Sequence, residues 1–370
     1  MIYLDNAATT FPKPDCVIDA VTSFLKEDGG NPSRGGHALS SKSTERILAC
    51  REELAFLIGA ASAEQIIFTK NTTEALNLAI KGVLKKGDEV IISSMEHNSV
   101  LRSCVDLEKE GVVLKIARAD SRGIVNPQDV YSLITERTRL ICVLHVSNVT
   151  GSVNSVREIC ALARKKGVLM LLDAAQSGGI LEIDTSCGDM IAFAGHKGLY
   201  GPMGTGALYI RKGISLDTLT EGGTGSFSES ALMPDLLPDR FEAGTLNAPG
   251  IAGLCEGIRF IKREGVYEKE KELGDFLISQ MSAVKGAKVI GAPSVGVVGL
   301  SLHGHDCVDI STRLDREYNI ATRAGLHCSP LAHRTLGTVT SGLLRFSTGF
   351  FNTKDEISSA AYALEKVLKN

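Results

Sequence analysis

Short apolar runs alternate with stretches of helical spacing from about residue 60 to about 210. The runs QIIFT (65–69), EVIIS (89–93), VVLKIA (112–117), LICVLHV (140–146), VLMLLD (168–173), MIAFAG (190–195) and GALYI (206–210) read as buried strands. Between them, TEALNLAIKGVLKKG and VREICALARKKG carry helical periodicity. The second has basic residues late and Gly167 as a stop. Apolar strands alternating with helices predict an α/β fold with a mostly parallel central sheet covered by helices on both faces. After about residue 260 the texture changes. A helix near 266–284, the run VGVVGLSL, a helix near 308–318, the run LLRFS and a closing helix from about 354 predict a smaller α+β unit. The expected division is a large domain over 15–258 and a small domain formed by 1–14 with 259–370.

Composition narrows the function. Of 370 residues, 44% are hydrophobic and 22% charged, which is enough to build a large core. A net charge of −3, without a basic stripe, argues against nucleic-acid binding. The start, MIYLDNAATT, lacks the basic and apolar segments of a signal peptide, and no run approaches the ~18 apolar residues of a membrane span. Nine cysteines without paired spacing suggest neither a disulfide framework nor a zinc site. The expectation is a cytoplasmic protein with mostly buried thiols. His303 and His305 form an HxH pair without an evident third ligand, so no metal is expected there, and His333 reads as structural.

In open α/β sheets, ligands gather beyond the carboxyl ends of the strands. Thr72 and Thr73 follow IIFT where a helix begins. They suit a phosphate, or simply a helix cap. Asp173 closes VLMLLD, where a carboxylate serves as metal ligand, catalytic group or cap. His196 and Lys197 follow MIAFAG in a glycine-rich turn. A partly desolvated lysine there has a lowered pKa and can form a Schiff base; the alternative is a surface lysine. The glycines around it are expected to let the backbone pass close to a cofactor and to a partner subunit. Together, a phosphate site, a buried carboxylate and an imine-forming lysine fit pyridoxal 5'-phosphate, whose ring nitrogen needs an acidic partner. Neither GxGxxG in the nucleotide-binding context nor GxxxxGK[ST] occurs.

Ten segments in order carry a resemblance to a known family: YLDNAATT (3–10), NPSRGGHALS (31–40), NTTEALN (71–77), MEHNS (95–99), HVSNVTG (145–151), DAAQS (173–177), GHK (195–197), FEAGTLN (241–247), RAGLHCSP (323–330) and LLRFSTGFFNT (343–353). The chain resembles the class V, fold-type I pyridoxal-phosphate enzymes, and among them the cysteine desulfurases and selenocysteine lyases. The resemblance implies that Lys197 holds the cofactor covalently and moves the substrate Cα proton. It implies that Asp173 meets the ring nitrogen, Gln176 the phenolic oxygen and His97 the ring face. Thr72, Thr73 and His196 would bind the phosphate, and Thr245 the phosphate of a neighbouring subunit in a homodimer. Asn148 and Arg345 would hold the substrate carboxylate, and His37 would line the entrance. Ala194 replaces the family's frequent serine or threonine two residues before the His-Lys pair. Gly198 interrupts the usual lysine-to-LYGP run, and Asn71 stands where glycine is more usual.

Cys328, in GLHCSP, separates the chemistries within this family. A desulfurase needs an accessible thiolate to take sulfur from its substrate. The segment is bounded by glycine and proline, which predicts an exposed loop, and it precedes Arg345 closely, as in the group with a compact cysteine loop. The expected reaction releases sulfur from L-cysteine, or selenium from L-selenocysteine, to give L-alanine and a persulfide on Cys328, with a possible sulfur-acceptor protein. An aminotransferase, a lyase on a related amino acid, and a non-catalytic scaffold of the same fold are the alternatives.

Overall fold

The computed structural model describes residues 1–32 and 36–369; Ser33, Arg34 and Gly35 of the NPSRGGHALS stretch lie outside the described residues. All seven expected strands form one sheet, in the spatial order Ile66–Thr69, Gly206–Ile210, Met190–Ala194, Leu169–Asp173, Thr138–Leu144, Glu89–Ser93, Val113–Ala117. Six run in one direction. Gly206–Ile210 opposes both of its neighbours. The reason is local: residues 195–205 contain turns but no helix, so the chain returns antiparallel instead of crossing over. Val90, Ile91, Ile141, Cys142 and Leu171 are completely buried, as strands covered on both faces require. Val113–Ala117 departs from that expectation. It is an edge strand, and Val113 and Ile116 are exposed.

A second, four-stranded antiparallel sheet has the order Arg323–Gly325, Leu343–Ser347, Val297–Leu302, Ala287–Ile290. Its core draws Leu273 and Leu277 from the Val266–Ala283 helix, Ile310 and Leu314 from Cys307–Tyr318, and Ile357 and Leu364 from Lys354–Val367. The N-terminus joins this unit: Ile2–Tyr3 pairs with Ile320–Ala321, Asp5 bridges Ser347, and Leu4 is fully buried in the same core.

The Ala248–Glu264 helix has no counterpart in the elements expected from the sequence. It packs on the Asp15–Ser23 and Ala38–Leu57 helices. A Cβ at Gly257 would lie 2.3 Å from the Leu199 carbonyl oxygen, so only glycine permits this approach. Gly265 ends the helix at φ +62°, a conformation that glycine adopts without strain.

A buried ion pair ties these layers together. Arg51 donates to both Glu242 oxygens at 2.7 and 2.8 Å, and the Phe68 N–H donates to Glu242 Oε1 at 2.6 Å. Burial raises the Glu242 carboxyl pKa despite Arg51, so the pair is a weak source of net stability. Breaking it is a different matter. Glu242→Gln leaves the Arg51 charge buried and unpaired, and is expected to cost about 3–5 kcal/mol in urea unfolding. An unchanged midpoint would show that the site relaxes freely.

Candidate active site

The carboxyl ends of the parallel strands bring the candidate residues to one edge. Asp173 ends its strand and is buried; its Oδ1 accepts from the Ala175 N–H at 2.9 Å. Burial pushes its pKa up, while that hydrogen bond and the positive charge of Lys197 pull it down. Lys197 follows the neighbouring strand and is half-buried. Its side chain makes no hydrogen bond or ion pair to a described residue. Desolvation lowers its pKa to about 8; Asp173 opposes this, while Arg345 and Arg323 add to it. In the cofactor-free chain, amine-reagent labelling at Lys197, read by peptide mass mapping, should therefore level off just above about pH 8. A rate still climbing through about pH 10 would mean an ordinary, solvated lysine.

The backbone around Lys197 is held from the N-terminus. The His196 carbonyl accepts from Thr9 Oγ1 (3.0 Å), the Thr10 N–H (3.2 Å) and Lys13 Nζ (2.8 Å). Thr10 Oγ1 also donates to the Lys197 carbonyl at 3.2 Å. The glycines here serve the chain's own close packing. A Cβ at Gly195 would lie 2.1 Å from Thr205 Oγ1, at Gly198 2.4 Å from the Gly178 oxygen, and at Gly206 2.7 Å from the Asn71 carbonyl carbon. The Gly198 that interrupts the usual lysine-to-LYGP run is thus a close backbone contact.

His97 caps the Asn98–Glu108 helix, with Nδ1 accepting from the Ser99 N–H at 3.1 Å. That bond leaves the ring proton on Nε2. Burial, with Lys197 and two arginines, lowers its pKa to about 4, so the ring is neutral near pH 7. Ser99 Oγ reaches both His97 Nδ1 and Thr73 Oγ1 at 2.8 Å, linking the ring to the start of the Thr72–Val83 helix. The cap of that helix is Asn71, whose side chain accepts from the Glu74 N–H at 2.9 Å. Neither Thr72 nor Thr73 is spent on capping. His196 is half-buried, and its Nδ1 is buried without a partner among the described residues. Gln176 donates to the Ala7 carbonyl at 2.9 Å.

Cys328 is the one exposed cysteine; seven others are buried, and Cys16 is half-buried, more open than expected. His327 and Cys328 adopt φ +51° and +58°, consecutive left-handed residues without a glycine. Such backbone costs roughly 1 kcal/mol or more per residue and persists only where its surroundings impose it. Three contacts do so. The Asn98 N–H donates to the Cys328 carbonyl at 2.8 Å, Asn148 Nδ2 to the His327 carbonyl at 2.8 Å, and Ser329 Oγ to Asn148 Oδ1 at 2.9 Å. Arg323 Nη2 lies 4.0 Å from the Cys328 sulfur. The His327 ring is buried and stacked against His333 at 5.8 Å.

Asn148 thus holds the cysteine loop with both ends of its amide, and its backbone oxygen accepts from Arg345 Nη1 at 3.0 Å. Arg345 is 1% exposed and pairs with Asp5 at 2.5 Å. Two expected residues stand apart. Thr245 is exposed on the loop after Glu242 and lines a separate cavity of about 240 Å³ with Phe68, Lys70 and Glu74. His37 is exposed and caps the Ala38–Leu57 helix through Nδ1. His303 lies in a turn, and no group of three potential metal ligands occurs among the described residues. Nor does any described helix have the length and apolarity to cross a membrane.

Asp5, Arg323, Ser99 and His327 are the residues that sequence reasoning missed. Each sits inside a quoted motif, but its role depends on a contact from another element.

Known proteins resemble this chain along nearly its whole length. Residues 2–359 match the aminotransferase class-V family. A probable cysteine desulfurase of Methanothermobacter thermautotrophicus is 36% identical over 99% of this chain and 94% of its own length. One from Mycolicibacterium paratuberculosis is 34% identical over 99% of this chain, which spans 55% of that longer protein. The apo structure of a cysteine desulfurase from Thermococcus onnurineus superposes with a TM-score of 0.91 at 32% identity, over 100% of this chain and 94% of the other. With its parallel sheet, its strand-end lysine and aspartate, and these relatives, the chain belongs to the aminotransferase class-V family.

Proposed function

We propose that this chain is a pyridoxal-phosphate enzyme that removes sulfur from L-cysteine, leaving L-alanine and a persulfide on Cys328. The observation that carries the reading is the exposed thiol, tied through its own backbone to the residue after His97 and through Asn148 to Arg345. The cofactor fits the residues present. Among the described residues, Lys197 is unpartnered and desolvated, Asp173 is a buried carboxylate within its field, His196 Nδ1 is a buried orphan, and two threonines start a helix that neither caps. Lys197, Asp173, Gln176 and His97 would hold the ring, and Thr72, Thr73 and His196 the phosphate. Pyridoxal phosphate, when bound, supplies a carbonyl for amines and a conjugated ring that accepts electrons as bonds at the α-carbon break.

The chain's own groups do the rest. Lys197, neutral above about pH 8, takes and returns the Cα proton. Arg345 and Asn148 orient the carboxylate. The Cys328 thiolate attacks the substrate sulfur. The new S–S bond forms as the substrate's C–S bond breaks, and its electron pair stays with carbon. Carbon then gains a proton, so cysteine and thiol become alanine and persulfide without an external oxidant. The exposed persulfide is open to a sulfur-acceptor protein. His97, neutral and with Nε2–H free of the Ser99 contacts, is suited to assist proton transfer.

The exposed Thr245 loop supports a homodimer in which it completes the neighbour's phosphate site, with His37 at the entrance. Unpaired cysteines support a reducing cytoplasm. The two sheets, each with its own core, support a large unit over 15–258 and a small one formed by 1–14 with 259–370. The test is alanine release by the cofactor-loaded protein from L-cysteine and L-selenocysteine with a reductant present. Turnover of L-cysteine is expected. Turnover confined to L-selenocysteine would make it a selenium lyase, and release from neither would reject both in favour of amino-group transfer.

A further inference from the structure

Arg345 and Arg323 are direct partners across the antiparallel strands Leu343–Ser347 and Arg323–Gly325. Like charges placed opposite each other repel. Arg345 is also almost wholly buried, so its charge needs a counter-ion. Among the described residues, Asp5 is its only ion-pair partner. Of the five guanidinium N–H bonds, one serves the Asn148 carbonyl and one serves Asp5. Nε is buried and has no partner among the described residues. A buried donor left unmade is costly, and a carboxylate arriving at that edge would satisfy it.

Asp5 does not reach Arg345 by chance of rotamer. Its backbone bridges Ser347, two residues beyond Arg345 on the same strand, and the Ser347 N–H donates to the Leu4 carbonyl at 2.7 Å. The next residue, Asn6, donates to the Ser347 carbonyl at 3.2 Å and to Asn352 Oδ1 at 3.1 Å. The segment that follows, through Thr9, Thr10 and Lys13, grips the His196 carbonyl. One N-terminal strap therefore touches both the arginine and the lysine turn.

We propose that Asp5 is a positioning residue of the carboxylate seat: acting through Arg345, it orients the guanidinium so that its unpartnered Nε edge receives the substrate's α-carboxylate. This rests on the reading of the site as one for an α-amino acid. The Asp5 contact is made by Nη2, so among the described residues the Nε–H keeps no partner of its own.

The test measures equilibrium binding to the cofactor-loaded protein through the cofactor's visible absorbance, which needs no turnover. L-Alanine carries the carboxylate; cysteamine is L-cysteine without it. Asp5→Ala is expected to weaken L-alanine by about tenfold, with Asp5→Asn in between, because the guanidinium is no longer held in its receiving orientation. Cysteamine should change by less than about twofold. Asp5→Asn keeps an acceptor at the same place, so the comparison stands even if the alanine variant does not fold. L-Alanine binding that is unchanged or tighter in either variant overturns the proposal, since Asp5 would then be a bystander or a competitor. Equal weakening of both ligands also overturns it, because Asp5 would then serve the fold or the cofactor. A wild-type protein that takes up the cofactor yet binds neither amine overturns the amino-acid reading, and the proposal with it.

Discussion

Cys328→Ala is expected to abolish alanine release from L-cysteine, by at least about 10³-fold in kcat, while the protein keeps its fold and its cofactor colour. The expectation follows from how the loop is held. The nearest elements grip Cys328 and its neighbours through backbone atoms: the Cys328 carbonyl by Asn98, the His327 carbonyl by Asn148. The sulfur itself is exposed, and Arg323 lies 4.0 Å from it. Removing it deletes the nucleophile and almost no packing. Alanine tolerates φ +58° about as well as cysteine does, so the backbone has no new reason to move. Assays with reductant and with mass analysis of the persulfide separate the outcomes. Wild-type rates in the variant would mean that sulfur leaves by a route without this thiol.

Lys197→Ala should have a larger effect, at least about 10⁴-fold in kcat, and should remove covalent attachment of the cofactor altogether. Borohydride treatment followed by peptide mapping should fix the cofactor to Lys197 in the wild type and to nothing in the variant. The physical basis is the setting of the amine. It is desolvated, it lies in the fields of Arg323 and Arg345, and Asp173 only partly offsets them. The variant's stability is expected to change little, since the Lys197 side chain makes no hydrogen bond and the turn is held by its carbonyls. Cofactor fixed to another lysine would move the chemistry away from this strand end.

Much of this architecture was legible along the chain. Runs such as EVIIS and GALYI match their strands to the residue, because a fully buried strand can be written only in apolar residues bounded by polar or glycine signals. Asp173 and Lys197 were legible as chemistry because they are charges at the ends of such runs, where a core would exclude them. Cys328 was legible as exposed from its glycine and proline boundaries. The Ala248–Glu264 helix was less so: its Ala-Pro-Gly start and three glycines mask a helix that tertiary packing on two neighbours stabilises.

What local sequence could not decide is whatever depends on register between distant segments. The reversed direction of Gly206–Ile210, the meeting of Arg323 with Arg345, and the reach of Asp5 across 340 residues all follow from which strands lie side by side. The glycines of the lysine turn are another case. Their pattern does not say which backbone they approach within the chain; their neighbours Thr205, Gly178 and Asn71 are brought there by the sheet. The sequence by itself determined which residues are candidates for the chemistry, because burial and charge are properties of each position and its near neighbours. Only the tertiary structure decided how those residues are held and paired, because an ion pair or a hydrogen bond forms between the groups that topology places within reach.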